Sequence, residues 1–350
     1  MSSNKIGLVL SGGGAKGAYE VGVVKALAER DLHIHAIAGA SIGALNGAMM
    51  AASPNLAIAA NRLEEVWQEL AHSSPLRTKP VPYYIKLLSS AGLTFYGTQR
   101  IASLLSSFGL AGALNSLNSS SGSGVLSSEP LHRILNEYLD MDALQKGTDL
   151  YVSIYPYPGI TRTASDIVMA ELGIKENQLS EFRHIQSSPE VQQRAILLAS
   201  AALPGIFDAQ KIGDKYYTDG GQGGWRKAQG NTPIQPLLNA GIPNIIVTHL
   251  SDGSLWSRHD FPSANIVEIR PSRSIARGRM DLIGFNSENI ISWIEQGYQD
   301  AHICLDKIDR PLSAISALND SAHQLQLAQK EGESSEKALE SAMARLRSMN

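Results

Sequence analysis

The chain has 350 residues, of which 43% are apolar and 18% charged, with a formal net charge of −3. That composition excludes a disordered polymer and a nucleic-acid binder working by bulk positive charge, and it supplies enough apolar residues for a large core. The single cysteine, Cys304, excludes an intramolecular disulfide and fits a reducing compartment.

Ile6–Leu10 is a short apolar run, expected as a buried parallel strand. It is too short for the apolar region of a secretory signal. No window approaches about 18 uninterrupted apolar residues, so no membrane-spanning helix is expected and the protein is read as cytoplasmic. Ser11–Gly17 is a glycine loop, and Tyr19–Arg30 carries Val21, Val24, Leu27 and Ala28 at helical spacing. Ile34–Ala38 is the next strand and Ile42–Ala52 the next helix. Strand, helix, strand, helix predicts a parallel α/β sheet.

Between that second strand and helix stands Gly39-Ala40-Ser41-Ile42-Gly43. This is a G-x-S-x-G segment at a strand-to-helix turn, where a serine hydroxyl is lifted out of the sheet edge. Ser41 is therefore a candidate nucleophile. Gly12, Gly14 and Gly17 also fit a dinucleotide fingerprint, but that motif wants an acid at the end of the second strand, where Ser41 stands. A purely structural turn is a further reading. The glycines also suit an oxyanion hole, because they let backbone N–H groups converge at a helix start.

Asn61–Leu70 reads as a helix. Residues 71–128 contain no Asp or Glu but carry Arg77, Lys79, Lys86 and Arg100 with Tyr83, Tyr84, Phe95, Tyr96 and Phe108. They end in a Ser/Gly/Asn tract over 115–128. Cations and aromatics without acids suit an anionic lipid interface, so 71–128 is read as a cap or membrane-facing insertion, against a plain helical subdomain. Further on, a helix is expected at Glu129–Tyr138, a strand at Leu150–Tyr155, a helix at Gln192–Ala202 and strands at Lys215–Thr218, Ile245–Leu250 and Ile266–Ile269. Phe285–Asp306 reads as a helix and Asp320–Asn350 as surface helices. The expected division is a domain over 1–310 and a helical extension over 311–350.

A serine needs a base. His249, His259, His302 and His323 follow Ser41, but none sits in a polar or glycine-rich loop; His249, ending an apolar strand, is the best of them. Asp219, in Thr218-Asp219-Gly220-Gly221, is the stronger candidate. Alone it would be an ordinary Asp-Gly turn. Its company is Ala199-Ser200-Ala201-Ala202-Leu203-Pro204-Gly205-Ile206-Phe207 upstream and Asn231-Thr232-Pro233 downstream.

With Ser11–Gly17, Gly39–Gly43, the Ala-Leu-Pro-Gly-Ile-Phe stretch and Asp219–Gly221 in this order, the chain resembles the patatin-like phospholipases over roughly residues 5–305. The resemblance implies a three-layer α/β/α sandwich with a mostly parallel central sheet. It implies a Ser-Asp dyad of Ser41 and Asp219, an oxyanion hole from Gly12, Gly13 and Gly14, and support from Lys16, Gly39, Gly43, Gly220 and Gly221. The implied activity is hydrolysis of acyl esters of phospholipid or lysophospholipid at a peripheral membrane surface, without cofactor or metal. No acidic calcium-binding loop is seen, which predicts a Ca²⁺-independent reaction. Signal-gated effector activity, acyl transfer or thioester chemistry on the same scaffold, and a binding module with an idle dyad are the alternatives. Two departures stand out. Lys16 occupies a place where many members have arginine, and Gln222–Gly230 separates Asp219 from Asn231, leaving that asparagine's place open.

Overall fold

The computed structural model describes residues 5–72, 129–157, 178–203, 207–224, 228–251, 256–275, 285 and 287–307. The expected cap at 71–128, but for its first two residues, and the extension at 311–350 lie outside the described residues, as does His323.

Eight strands form one sheet: β1 (Ile6–Leu10), β2 (Ile34–Ala40), β3 (Asp149–Pro156), β4 (Glu181–His184), β5 (Gln210–Ile212), β6 (Lys215–Asp219), β7 (Asn244–Thr248) and β8 (Asn265–Ile269). Their order is β5-β6-β3-β2-β1-β7-β8, with β4 also paired to β3. The run β3-β2-β1-β7-β8 is parallel, while β4, β5 and β6 are antiparallel. The fold is thus mixed α/β with a mostly parallel central sheet. Leu8, Leu10, Ile37, Leu150 and Val152 are completely or almost completely buried, as parallel strands covered on both faces require.

Among the described residues the α-helices are α1 (Ala18–Glu29), α2 (Ile42–Ala51), α3 (Leu56–His72), α4 (Glu129–Tyr138), α5 (Met141–Lys146), α6 (Glu190–Ser200), α7 (Gln235–Asn239) and α8, over residues 287–307. Helix α2 lies on the face of Leu10, Ile37 and Leu150, which surround Gly47. Leu237 of α7 joins a core cluster with Val9, Ala36 and Ala38, which alternate to the other face. Helices therefore cover both sides of the sheet. No helix among the described residues is long and apolar enough to cross a membrane.

Several elements differ from the sequence expectation. Helix α3 starts before Asn61, because the Asn55 side chain accepts from the Ile58 amide at 2.9 Å and caps the earlier start. Helix α5 was not expected; the Asp140 carboxylate caps it through the Asp142 and Ala143 amides. Strands β4 and β5 were not expected either. They are polar, and β5 is only three residues long.

Helices α1 and α8 touch backbone to backbone. A Cβ on Gly22 would overlap the Ile294 carbonyl, and one on Gly297 would overlap the Tyr19 carbonyl. Tyr19 donates to Asp300 at 3.0 Å beside this contact. Either Gly22→Ala or Gly297→Ala forces the helices apart, and each is expected to lower stability by about 1–3 kcal/mol in thermal unfolding. An unchanged melting temperature would contradict this packing.

Candidate active site

The carboxyl ends of β1 and β2 point to one edge of the sheet, where ligands of open α/β folds bind. The sheet register brings Asp219 to the same place. Ala40 of β2 pairs with Ser153 of β3, and Asp219 of β6 pairs with Ile154, the next residue along. Ser41, directly after Ala40, and Asp219 therefore stand at one level on either side of β3.

Ser41 has φ 54° and ψ −125°, a left-handed backbone that a residue with a side chain rarely adopts. The turn is possible because its two glycines make close contacts. A Cβ on Gly39 would press on the Ala44 amide at 2.7 Å, and one on Gly43 would meet the Ser11 carbonyl at 2.9 Å. Ser41 occupies the N-cap of α2 but caps nothing with its side chain. Its hydroxyl faces Asp219 instead.

Asp219 is 3% exposed. Burial pushes its carboxyl up to about 6, while the Ser41 hydroxyl and the Gly221 amide draw it back part of the way. Oδ1 accepts from the Gly221 N–H at 2.8 Å. Oδ2 is buried and makes no hydrogen bond among the described residues.

The glycine loop lies next to Ser41. The Gly12 amide is already engaged, donating to the Asn231 carbonyl at 3.1 Å. Asn231 Nδ2 returns a bond to the Gly12 carbonyl at 3.3 Å. The Gly230 amide donates to the Gly223 carbonyl at 2.9 Å, and Asn231 follows directly at the site. Its Oδ1 fills the space beside both Gly12 and Gly221. The amides of Gly13, the N-cap, and Gly14, the first residue, of a short 3-10 turn, Gly14–Gly17, make no hydrogen bond among the described residues. Gly14 has φ 58°, a left-handed backbone that glycine adopts without strain. Lys16 lies in the same turn, with its Cε close to Gly13.

An apolar slot opens at Ser41 and holds about 880 Å³ of empty space, counting its mouth. Leu45 and Met49 of α2, Val66 and Leu70 of α3, and Leu131 and Leu135 of α4 form its walls. Asn46 and Trp67 are its polar-headed members. Trp67 Nε1 donates to Asn46 Oδ1 at 3.0 Å, and Asn46 Nδ2 donates to Glu20 at 2.8 Å. Burial holds the Glu20 carboxyl well above the usual carboxylate range, against the influence of Asn46 and the Ser11 backbone. The group ties α1, α2 and α3 together behind the slot.

His249 is buried elsewhere at the sheet edge. It pairs with Glu268 at 3.0 Å and lies edge-on to Trp256. Asn231 and Ser200, both visible in the sequence near Asp219, contact the site in ways that residue spacing alone does not display. Among the described residues no group of three His, Cys, Asp or Glu side chains is placed to hold a metal ion.

The patatin-like phospholipase family model matches residues 8–238, well over half of the chain. Over 86 residues, 21% of this chain and 6% of the relative, the chain is 37% identical to the patatin-like phospholipase domain-containing protein ZK370.4 of Caenorhabditis elegans. Over 65 residues, 19% of this chain and 4% of the relative, it is 42% identical to the neuropathy target esterase sws of Drosophila persimilis. The matched stretches thus span only about a twentieth of those much longer proteins. Among solved structures it is similar to VipD from Legionella pneumophila, at 15% identity and a TM-score of 0.44, over 87% of this chain and 67% of that one. With its glycine loop, strained serine and buried aspartate inside the matched segment, the chain belongs to the patatin-like phospholipase family.

Proposed function

We propose that this chain is a Ca²⁺-independent lipid acyl hydrolase of the phospholipase A or lysophospholipase type, with Ser41 as nucleophile and Asp219 as base. The observation that carries the reading is a strained serine facing a desolvated carboxylate at the mouth of an apolar slot. Ser41 Oγ attacks the ester carbonyl carbon and its proton passes to Asp219. The oxygen of the tetrahedral intermediate takes hydrogen bonds from the Gly13 and Gly14 amides, near the positive end of α2. Collapse breaks the carbon–oxygen bond to the alcohol, which leaves with the proton from Asp219. Water then attacks the acyl-serine by the same route and releases the fatty acid. Gly12, whose amide donates to the Asn231 carbonyl, anchors the loop, and the oxyanion falls to Gly13 and Gly14. No step requires a metal.

A carboxylate is ordinarily a weak base for a hydroxyl. Desolvation at Asp219 narrows that gap, which supports its assignment. The slot suits one acyl chain, since each methylene drawn in is worth about 0.8 kcal/mol. The substrate is then a phospholipid or lysophospholipid met at a membrane surface.

Mixed phospholipid vesicles test the reading. Wild type is expected to release free fatty acid and lysolipid, identified by mass spectrometry, and Ser41→Ala to release neither above background. Release of diacylglycerol or phosphorylated head groups, or equal release by both proteins, would overturn it. The base must be ionised, so kcat/KM is expected to fall below an apparent pKa of about 6 and to level off above it. A flat profile between about pH 5 and about pH 8 would remove Asp219 from the role.

Asp219→Asn separates activity from stability. The folded pKa of about 6 lies above the ordinary 3.8, so the contribution to stability is complete below 3.8 and is lost as pH rises through 6. That gap is worth about 3 kcal/mol. Asp219→Asn is expected to lose hydrolysis at least about a hundredfold, yet to melt higher than wild type at alkaline pH. A variant that melts lower there would contradict the desolvated carboxylate. Leu131, half-buried on the slot wall, is expected on change to Trp to slow long-chain esters about tenfold more than short-chain esters. Equal slowing of both would place the acyl chain elsewhere.

A further inference from the structure

The left-handed backbone of Ser41 needs an explanation beyond its two glycines. A serine at a helix N-cap ordinarily sits in the β region and turns its hydroxyl onto the amides of the first helical turn. Ser41 occupies that position before α2 and does neither. Its amide instead donates to Ser200 Oγ at 2.9 Å, across 159 residues of sequence. Ser200 is completely buried at the last turn of α6, and its own hydroxyl donates to the Ser153 carbonyl at 2.7 Å. With its single proton committed to Ser153, Ser200 Oγ is left as an acceptor toward Ser41. The acceptor is therefore fixed in direction as well as in place.

The same end of α6 reaches the other half of the site. The Ala202 carbonyl, two residues on, accepts from the Asp219 amide at 2.9 Å. Ser153, which holds Ser200, also donates its hydroxyl to the Gly220 carbonyl at 3.3 Å, directly after Asp219. Strand β3 and the end of α6 thus form one hydrogen-bonded frame around both residues.

We infer that Ser200 is a positioning residue that keeps Ser41 out of the helix-cap conformation and so holds its hydroxyl toward Asp219. Without the Ser200 acceptor, the Ser41 amide has no partner in the strained geometry. The relaxed alternative is an ordinary N-cap, with the hydroxyl turned onto the Gly43 or Ala44 amide and away from the carboxylate. Ser200 touches neither substrate nor the reacting atoms. The inference rests on Ser41 being the nucleophile.

An alkyl fluorophosphonate tests it on the full chain, because Ser41 Oγ displaces fluoride from phosphorus and keeps the adduct. Wild type, Ser41→Ala, Ser200→Ala and the near-isosteric Ser200→Cys are compared for labelling rate, for kcat and KM on a soluble short-chain ester, and for melting temperature. Both Ser200 variants are expected to label Ser41 at least about tenfold more slowly, with kcat lowered to match and KM within about twofold of wild type. If Ser200→Ala does not fold, Ser200→Cys carries the comparison. Labelling of either folded variant at the wild-type rate, or a rise in KM that accounts for the loss, would overturn the positioning role. Failure of wild type to carry the adduct on Ser41 would instead overturn the nucleophile, and this inference with it.

Discussion

The site depends on one opposition: the Ser41 hydroxyl and the Asp219 carboxylate face each other at one level across β3, and the carboxylate is out of water. Neither residue is comfortable there. A left-handed serine is worth about 1–3 kcal/mol of strain, and a desolvated carboxylate adds a penalty of similar size. Such positions persist only where the surrounding structure over-determines them. Here the surroundings are the buried parallel strands β1, β2 and β3, with α2 laid directly over them.

The sheet supplies position and the helices supply chemistry of surface. The mixed pairing of β3 is the key to the first. A parallel β2 on one side delivers a strand end at Ser41, and an antiparallel β6 on the other delivers a strand end at Asp219. The helices α2, α3 and α4 then leave an apolar slot leading away from Ser41, braced from behind by the Trp67–Asn46–Glu20 hydrogen bonds. Burial of Glu20 raises its carboxyl above the usual range, and the hydrogen bond from Asn46 gives that buried group a partner behind the slot.

The central strands were legible in the sequence because both their faces are buried, which makes them continuous apolar runs. The polar edge strands β4 and β5 carry no such pattern, and α5 is a single capped turn whose signal is one aspartate. Ser41 was legible as a candidate from its glycines, and Asp219 from the company of the Ala199–Phe207 and Asn231–Pro233 stretches. Their meeting was not derivable from spacing, because it follows from the one-residue offset of two pairings along β3. Two details needed coordinates. The Gly12 amide looked equivalent to those of Gly13 and Gly14, but Asn231, placed by the hydrogen bond from Gly230 to Gly223, engages it. Ser200 stood in plain view inside an Ala-Ser-Ala-Ala stretch, yet its partner lies 159 residues away.

The most direct test is the structure of the protein after reaction with a long-chain alkyl fluorophosphonate, which mimics the tetrahedral intermediate. The account predicts phosphorus on Ser41 Oγ, the phosphonyl oxygen within hydrogen-bond reach of the Gly13 and Gly14 amides, and the alkyl chain between α2, α3 and α4. Phosphorus on another residue, or a phosphonyl oxygen turned away from the glycine loop, would contradict it.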